Sequence, residues 1–238
     1  GAKLVATPEN TNFLGPHAEK VHLAEDLSGP VCAFFSGLAA ELRIHLLLGS
    51  FNEKSAHNGR CFNTSVLFVP YGAVVAAYRK MHLFDVDVPD GVSFRESETV
   101  APGDEVVVAA TALGSLGLSI CYDLRFGELS RSLVGRGADV ILIPSAFTAA
   151  TGKAHWETLV RARAIESQAF VIAPGQQGAH DDGGLRESWG HSLIVDPWGR
   201  VLAEAPDGIG LVTAEIDLAE VAKVRGAIPL AAHRRLSG

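Results

Sequence analysis

The sequence predicts an α/β domain in which two β-sheets pack face to face and helices cover the outer faces. Three observations indicate this architecture: strands outnumber helices, two strand pairs form predicted hairpins, and two helices begin directly where strands end. Hairpins pair neighbouring strands into sheets, and a helix with one apolar stripe covers an outer sheet face. A doubly wound sheet is the competing architecture. With 238 residues, 47% of them hydrophobic, the chain suffices for one domain with a single core.

The first third of the chain supplies a strand, a helix and a hairpin. Apolar residues at helical spacing, from Val31 through Phe35 to Leu42, predict the helix. The turn Pro70-Tyr71-Gly72 between two apolar runs predicts the hairpin. In order, we expect a strand over 3–7, a loop with one helical turn over 10–28, a helix over 31–42, a strand over 44–48, and a hairpin of 61–69 with 73–78.

The rest of the chain alternates strands with helices. The segment 83–103 is long and irregular, and loops of this length in compact domains are usually functional. The other expected elements are a strand over 116–120, a helix through 129–134, a strand over 140–143, a helix over 154–167, a strand over 169–173, a mobile glycine-rich segment over 175–187, a hairpin of 190–195 with 200–203, a strand over 210–216 and a helix over 218–225.

Charge and composition narrow the class of ligand. A net charge of −7, without a cluster of Lys or Arg, argues against nucleic acid and anionic membranes as partners. No stretch approaches the roughly eighteen apolar residues of a membrane span, and residues 1–5 do not have the pattern of a signal peptide. Cys32, Cys61 and Cys121 cannot all pair, and none has metal-ligand spacing, so we expect a reducing, cytoplasmic compartment. The expected partner is a small molecule.

The stretch from Gly114 to Glu128 carries the strongest chemical signal. A short buried strand leads straight into Cys121, and a polar, aromatic turn and a helix follow. A thiol at the start of a helix lies beside free N–H groups and the positive end of the helix dipole, which favours thiolate. The alternative is that Cys121 is a small buried hydrophobe, as most free cysteines are.

Four polar residues stand at the ends of predicted buried strands or in the long loop: Glu9, Lys80, Glu96 and Cys121. Such positions gather along one rim of a sheet. If they converge, Glu9 accepts the thiol proton, and Lys80 with the N–H of Tyr122 stabilises an oxyanion. Glu96 then holds Lys80 charged and in place. This is two-step acyl transfer, and it needs no metal or cofactor.

Each of these residues also has an ordinary structural interpretation. Glu9 after proline is compatible with an acid at a helix start. Lys80 after a strand is compatible with a solvated or snorkelling side chain, and Glu96, among other charges, with a surface residue.

Four motifs resemble the nitrilase (carbon–nitrogen hydrolase) superfamily: Pro8-Glu9, Tyr78-Arg-Lys80-Met-His-Leu-Phe84, Phe94-Arg-Glu96 followed by Pro102-Gly-Asp104, and Cys121-Tyr-Asp-Leu-Arg-Phe126. The resemblance extends along the whole chain. It implies an α-β-β-α sandwich and a Glu-Lys-Cys triad, which falls on Glu9, Lys80 and Cys121 with Glu96 as the supporting acid. It also implies a homodimer or higher homo-oligomer, to which the C-terminal tail contributes.

Other stretches resemble the amidase branch of this superfamily, which includes deaminated-glutathione amidase and omega-amidase. Residues 161–166 and 176–180 are closer to the former, and residues 82–87 and 94–97 to the latter. The resemblance therefore implies a cysteine amidase acting on deaminated glutathione, with α-ketoglutaramate or α-ketosuccinamate as the alternative. An inactive binding module that keeps the fold is the alternative outside enzymes, and the complete triad argues against it.

The family normally has a strand and a helix before the segment that carries the acid. We therefore expect residues 1–238 to form one carbon–nitrogen hydrolase domain that is incomplete at its N-terminus. We also expect this chain alone to be poorly soluble or weakly active, because a missing strand leaves ladder groups and apolar surface uncovered.

Both candidate substrates carry a carboxylate beyond the scissile amide, which a guanidinium binds in a two-pronged way. The candidates are Arg125, Arg161, Arg163 and Arg186. The alternative is that Arg125 pairs with Glu128, and that Arg161 or Arg163 pairs with Glu157 or Glu166 along a helix. We favour pairing for Arg161 and keep Arg186 as the clamp. The amidase-like stretches add Phe147 and His155 as candidate substrate contacts.

Overall fold

The computed structural model describes residues 1–57, 59–87, 93–180 and 186–236. Its first sheet has the order β1-β2-β3-β4, with β1 parallel to β2 and the other neighbours antiparallel. The four strands are β1 (Leu4–Ala6), β2 (His45–Lys54), β3 (Cys61–Phe68) and β4 (Val74–Arg79). The predicted hairpin over 61–78 is therefore confirmed.

The second sheet has six strands in the order β14-β13-β10-β9-β8-β7. Its centre, β8 to β10, is parallel, and the remaining neighbours pair antiparallel. These strands are β7 (Val108–Thr111), β8 (Gly114–Leu118), β9 (Val140–Leu142), β10 (Phe170–Ala173), β13 (Leu193–Val195) and β14 (Val201–Glu204). Two small hairpins lie outside both sheets: β5 (Asp85–Asp87) with β6 (Ser93–Arg95), and β11 (Gln177–Ala179) with β12 (Glu187–Trp189).

The sheets pack face to face because side chains alternate between the two faces of each strand. Leu47 of β2 lies in the same buried cluster as Leu142 of β9, between the sheets. Its neighbours Leu46 and Leu48 point the other way and pack with Phe35 of a helix on the outer face. This is the predicted sandwich, and it excludes the doubly wound alternative.

Helices cover the outer faces. Helix α2 (Pro30–Leu42) packs on the first sheet, and α3 (Gly127–Gly135) and α4 (Ala149–Ser167) pack on the second. The short helix α1 (His17–His22) precedes α2, and α5 (Ala219–Ala227) and α6 (Leu230–His233) end the described chain. Among the described residues, no helix combines the length and apolarity needed to cross a bilayer.

Several expected elements differ from the structure. Residues 210–216 were expected as a strand but form none, since they lie largely exposed after β14 without a ladder partner. Strand β7 was not predicted, because its four residues carry no clear alternation. Helix α4 begins five residues earlier than expected, and the segment 83–103 contains the β5–β6 hairpin and a 3₁₀ turn over Glu96–Glu98. Residues 88–92 and 181–185 of the two predicted loops lie outside the described residues.

Candidate active site

The four polar residues singled out from the sequence line one cleft at the rim of the sandwich. Glu9 follows β1, Lys80 follows β4 directly, Glu96 opens the 3₁₀ turn after β6, and Cys121 lies three residues beyond the end of β8. All four are buried. The structure therefore brings these four side chains together at one rim of the sandwich.

Lys80 is the hub of this group and is 2% exposed. Its Nζ lies 2.9 Å from Glu9 Oε1, and 3.1 and 2.9 Å from the two carboxylate oxygens of Glu96. Asn63 donates its side-chain N–H to both carboxylates, at 2.9 Å to Glu9 and 3.3 Å to Glu96. The N–H of Phe84 donates to Glu96 at 2.7 Å. A buried ion pair is tolerated only when its remaining lone pairs are hydrogen-bonded, and this one meets that condition.

Electrostatics keep the ion cluster charged. Burial acts to lower the pKa of Lys80, but the carboxylates of Glu9 and Glu96 outweigh burial and raise that pKa well above its ordinary value. Burial acts to raise the pKa of Glu96, and the ammonium groups of Lys80 and Lys20 outweigh it and hold the pKa low. Lys80 is thus a fixed cation and a poor base at neutral pH.

A close crossing of two chain segments positions Glu9. A Cβ at Gly49 of β2 would lie 2.0 Å from the carbonyl oxygen of Thr7 and 2.2 Å from that of Pro8, so only glycine allows this approach. The pairing of β2 with β3 shifts register at the same place. The N–H of Ala146, from the far side of the cleft, donates to Glu9 Oε2 at 2.8 Å. The carboxylate is therefore held from several sides.

Cys121 sits in a strained backbone conformation. Its φ is 46°, in the left-handed region, which costs a non-glycine residue roughly 1–3 kcal/mol. Its thiol lies in the same cleft as the Glu9 carboxylate, and burial, with Glu9 as the second cause, raises its pKa well above the ordinary value. The expectation that a helix start favours thiolate is therefore wrong, because burial beside a carboxylate dominates. The structure therefore favours a neutral thiol in the cleft that also holds the Glu9 carboxylate.

The turn after Cys121 presents the predicted oxyanion donor. Residues Cys121–Arg125 form a 3₁₀ turn, and the Tyr122 ring lines the cleft, packed edge-on against Phe84 and Phe126. In the part of the chain that the structure describes, no acceptor is assigned to the N–H of Tyr122. Early N–H groups of a helical turn have no intrahelical partner, so this one is available to a ligand oxygen.

One buried carboxylate, Asp123, joins this turn to the segment that carries Lys80. Its Oδ2 accepts the N–H of Ile120 at 2.9 Å and the hydroxyl of Tyr78 at 2.7 Å. Its Oδ1 accepts the N–H of His82 at 3.0 Å and lies 2.7 Å from His82 Nδ1. Tyr78 and His82 flank Lys80, so the Asp123 side chain joins the Cys121 turn to the Lys80 segment. The sequence pattern gave Asp123 no role, although it lies within the motif that begins at Cys121.

The non-atom space in and around the cleft, open solvent at its mouth included, is about 540 Å³. Its walls are aromatic, with Phe84, Phe94, Tyr122 and Phe147. Among the described lining residues, four are cationic and two are carboxylates: Lys20, Lys80, Arg125, Arg186, Glu9 and Glu96. This excess of positive charge fits an anionic small molecule in a chain whose overall charge is negative.

Of the two aromatic side chains predicted to contact the substrate, Phe147 lines the cleft and His155 does not. Phe147 is buried in the cleft wall, and the Arg125 guanidinium lies over its ring at 4.9 Å. His155 is exposed on α4 and is not a lining residue, since its Nδ1 is directed to Arg125 Nη1 at 3.3 Å. No ion pair joins Arg125 to Glu128 within the described residues, and Arg125 donates to Thr151 at 3.4 Å instead.

The other arginines divide into two groups. Arg161 and Arg163 form the expected ion pairs along α4, with Glu157 and Glu166 respectively. Arg186 lines the cleft and donates to the Gly15 carbonyl at 2.6 Å and to His17 Nε2 at 3.2 Å.

Two lining or supporting residues had no role in the sequence prediction. Lys20 lies on α1 in a segment expected mainly as loop, and no pattern there marked it. Asn63 stands in a polar run, Asn63-Thr64-Ser65, inside a buried strand. A polar run at buried strand positions is the signal that identifies it, because buried amides need partners.

Comparisons with known proteins agree with the fold. A family model described as carbon-nitrogen hydrolase matches residues 1–226. The chain is 45% identical to deaminated glutathione amidase from Synechocystis over 98% of this chain and 86% of that protein. It is 41% identical to human omega-amidase NIT2 over 99% of this chain and 84% of that protein.

Solved structures with the same fold are also found. The C. elegans NitFhit protein superposes with a TM-score of 0.90 at 42% sequence identity, over 98% of this chain. The chain spans 57% of the length of that protein.

Proposed function

The chain belongs to the carbon–nitrogen hydrolase family, and from this premise we propose that it is a cysteine amidase that cleaves a linear amide through a thioester. The observation that supports this most is the buried group of a neutral thiol, a carboxylate and an ammonium, at Cys121, Glu9 and Lys80. A nucleophile close to a base and to a fixed positive charge is the arrangement that acyl transfer needs.

In the first step the Cys121 sulfur bonds to the amide carbon, and the thiol proton moves to Glu9. The raised pKa of the free thiol means that attack and proton transfer go together, so no thiolate accumulates. Negative charge develops on the former carbonyl oxygen, where the Lys80 ammonium and the N–H of Tyr122 stabilise it. Because Glu9 and Glu96 hold Lys80 protonated, it acts as a charge and takes no proton.

In the second half the C–N bond breaks and Glu9 returns its proton to the leaving amine, leaving a thioester. Glu9 then takes a proton from water as the water oxygen attacks the thioester carbon. Collapse expels the sulfur, which regains its proton, and the products are a carboxylate and an amine. Glu96 does not touch the reacting atoms and positions Lys80 through the contacts of 2.9 and 3.1 Å.

Deaminated glutathione is the proposed substrate, and α-ketoglutaramate the second candidate. The higher identity, 45% against 41%, favours the first. Both molecules carry a carboxylate beyond the scissile amide, and the cationic, aromatic cleft suits both. The order of preference between them is therefore a matter for measurement.

The test compares hydrolysis of both amides by the unmodified chain, Cys121→Ala and the control Cys32→Ala. Ammonia reports on α-ketoglutaramate, and the newly formed primary amine reports on deaminated glutathione. Cys32 is buried in the α2 interface, away from the cleft, so Cys32→Ala should keep the full rate. Cys121→Ala should retain no measurable activity. Wild-type rates in Cys121→Ala would rule out the covalent route.

A cytoplasmic homodimer completes the proposal. The free state of Cys32, Cys61 and Cys121 supports a reducing compartment. Two exposed apolar side chains support burial of this face between two copies: Ile165, 48% exposed, lies against Gly199 near the end of α4, and Trp198, 55% exposed, directly precedes Gly199. Cell fractionation tests the first point. Light scattering on the wild type and Trp198→Glu tests the second, since the variant should be monomeric.

A further inference from the structure

Lys20 is the one cationic lining residue with neither a task in the proposed mechanism nor a hydrogen-bond partner among the described residues. Its side chain is 2% exposed and lines the cleft. Lys80 has two carboxylates, Arg125 has Thr151 and His155, and Arg186 has Gly15 and His17. The Lys20 ammonium therefore meets the cleft without a protein acceptor, and a ligand group with acceptor oxygens can complete its hydrogen bonds there.

The charges around Lys20 define what that group must be. Burial lowers the pKa of Lys20, the carboxylates of Glu96 and Glu9 act in the opposite sense, and Arg186 and Lys80 repel it. The oxygens of Glu96 are already taken by Lys80, Phe84 and Asn63. An ammonium donates three hydrogen bonds and accepts none, so its partner is an acceptor, and an anion is the strongest.

We infer that Lys20 forms the subsite for the carboxylate that the substrate carries beyond its scissile amide. This deepens the proposed function and rests on it for the identity of the substrate. The carboxylate receives charge-assisted hydrogen bonds from the Lys20 ammonium on the floor of the cleft, while the amide carbon lies at Cys121. Because the Lys20 side chain is already held at the cleft wall, little side-chain freedom is lost when it binds an anion.

This assignment gives Arg186 a different part from the clamp expected from the sequence. Its guanidinium donates to the Gly15 carbonyl and to His17, which opens α1. Those contacts hold the start of the helix that carries Lys20. Arg186 thus positions α1 and adds long-range positive charge, while Lys20 makes the direct contact.

The experiment uses two amides that differ only at the distal group. α-Ketoglutaramate carries the carboxylate, and 4-oxopentanamide has a methyl in its place. In Lys20→Met, kcat/KM for α-ketoglutaramate should fall by about 10- to 100-fold, the range for losing a hydrogen bond to a charged group. The rate with 4-oxopentanamide should stay near that of the wild type. Lys223→Met, at a 73% exposed lysine on α5, makes the same chemical change outside the cleft and should alter neither rate.

A binding measurement separates this inference from the proposed reaction. Glutarate carries two carboxylates and no amide, and calorimetric titration should show wild-type binding that weakens at least about 10-fold in Lys20→Met and in the second variant Lys20→Gln. If neither amide is hydrolysed but glutarate binding depends on Lys20, the proposed function fails and the subsite stands. Equal losses with both amides, or glutarate binding that ignores Lys20, would overturn the assignment.

Discussion

Replacing Asp123 with asparagine tests whether one buried carboxylate holds the Cys121 turn to the Lys80 segment. Asp123 is 1% exposed and accepts hydrogen bonds from Tyr78, Ile120 and His82. Asparagine has nearly the same shape but only one acceptor oxygen. Its amide N–H₂ must therefore face either the His82 side or the side of Tyr78 and Ile120.

The expected loss in the free energy of unfolding follows from the donors that Asp123→Asn leaves unpaired. The Tyr78 hydroxyl can reverse and accept, but the N–H of Ile120 or of His82 cannot, so one buried N–H faces another. A lost hydrogen bond to a charged group costs about 1.5–3 kcal/mol, and the stranded donor adds to it, so we expect a loss of about 3 kcal/mol in the free energy of unfolding. For a chain of this size that corresponds to a fall of about 6–12 °C in melting temperature.

Activity should fall as well, because the tie joins the Cys121 turn to the Lys80 segment. A displacement of about 1 Å at a reacting group can cost about 100-fold in rate, so we expect kcat of Asp123→Asn to fall by about 10- to 100-fold. The assay is ammonia release from α-ketoglutaramate at saturating substrate, with thermal unfolding on the same samples.

Asp196→Asn provides the matched control. Asp196 is another buried carboxylate, 5% exposed, in the turn between β13 and β14 and away from the cleft: its Oδ1 accepts the N–H groups of Trp198 and Arg200, and its Oδ2 accepts the Arg200 Nε–H at 2.7 Å, the bond that asparagine would lose. It should lose stability but keep kcat for the folded fraction. If Asp123→Asn loses stability yet keeps its kcat like the control, the tie has no catalytic role and the reasoning is refuted.

Three further predictions follow from the same structure. Gly49→Ala should destabilise the chain by about 1–3 kcal/mol and lower its activity, because the added Cβ would lie 2.0 Å from the carbonyl oxygen of Thr7. The control Gly37→Ala, in α2, adds a Cβ that meets nothing within 4 Å and should be neutral or stabilising. Urea unfolding measures the free energy of unfolding of both variants. The pKa of Glu96 is lower in the folded chain than in the unfolded chain, so the ionised carboxylate stabilises the fold fully above the ordinary pKa of 4.5, and this contribution is lost as pH falls through the folded value. Melting temperatures measured from pH 7 to 3 should therefore decline more steeply in acid for the wild type than for Glu96→Gln. Parallel curves would contradict this. Arg186→Ala should raise KM for both α-ketoglutaramate and 4-oxopentanamide by disturbing α1, with the larger rise for the anion; a rise confined to the anion would restore Arg186 as the direct clamp.

Local patterns accounted for most of the fold. The helical spacing from Val31 to Leu42 and the turn at Pro70 to Gly72 were enough to place α2 and the β3–β4 hairpin, because both depend on residues close together in sequence. The prediction of a strand over 210–216 was wrong because strand formation there depends on residues far away in the sequence. An apolar segment becomes a strand only if another strand offers it a ladder, and no sequence window contains that information.

The sequence by itself determined the chemistry available to this protein: a cysteine after a buried strand, a lysine at the end of another, and an acid after a third, each inside a dense local motif. Only the tertiary structure decided how they behave. The N–H of Ala146 reaches Glu9 across 137 positions of sequence, and burial beside that carboxylate keeps the Cys121 thiol protonated against the local expectation of a thiolate. A place in the cleft wall, without a hydrogen-bond partner in the described part of the chain, likewise singles out Lys20, for which no motif existed. Protonation states and orphaned charges depend on everything packed around a group, so they emerge only when the chain has folded.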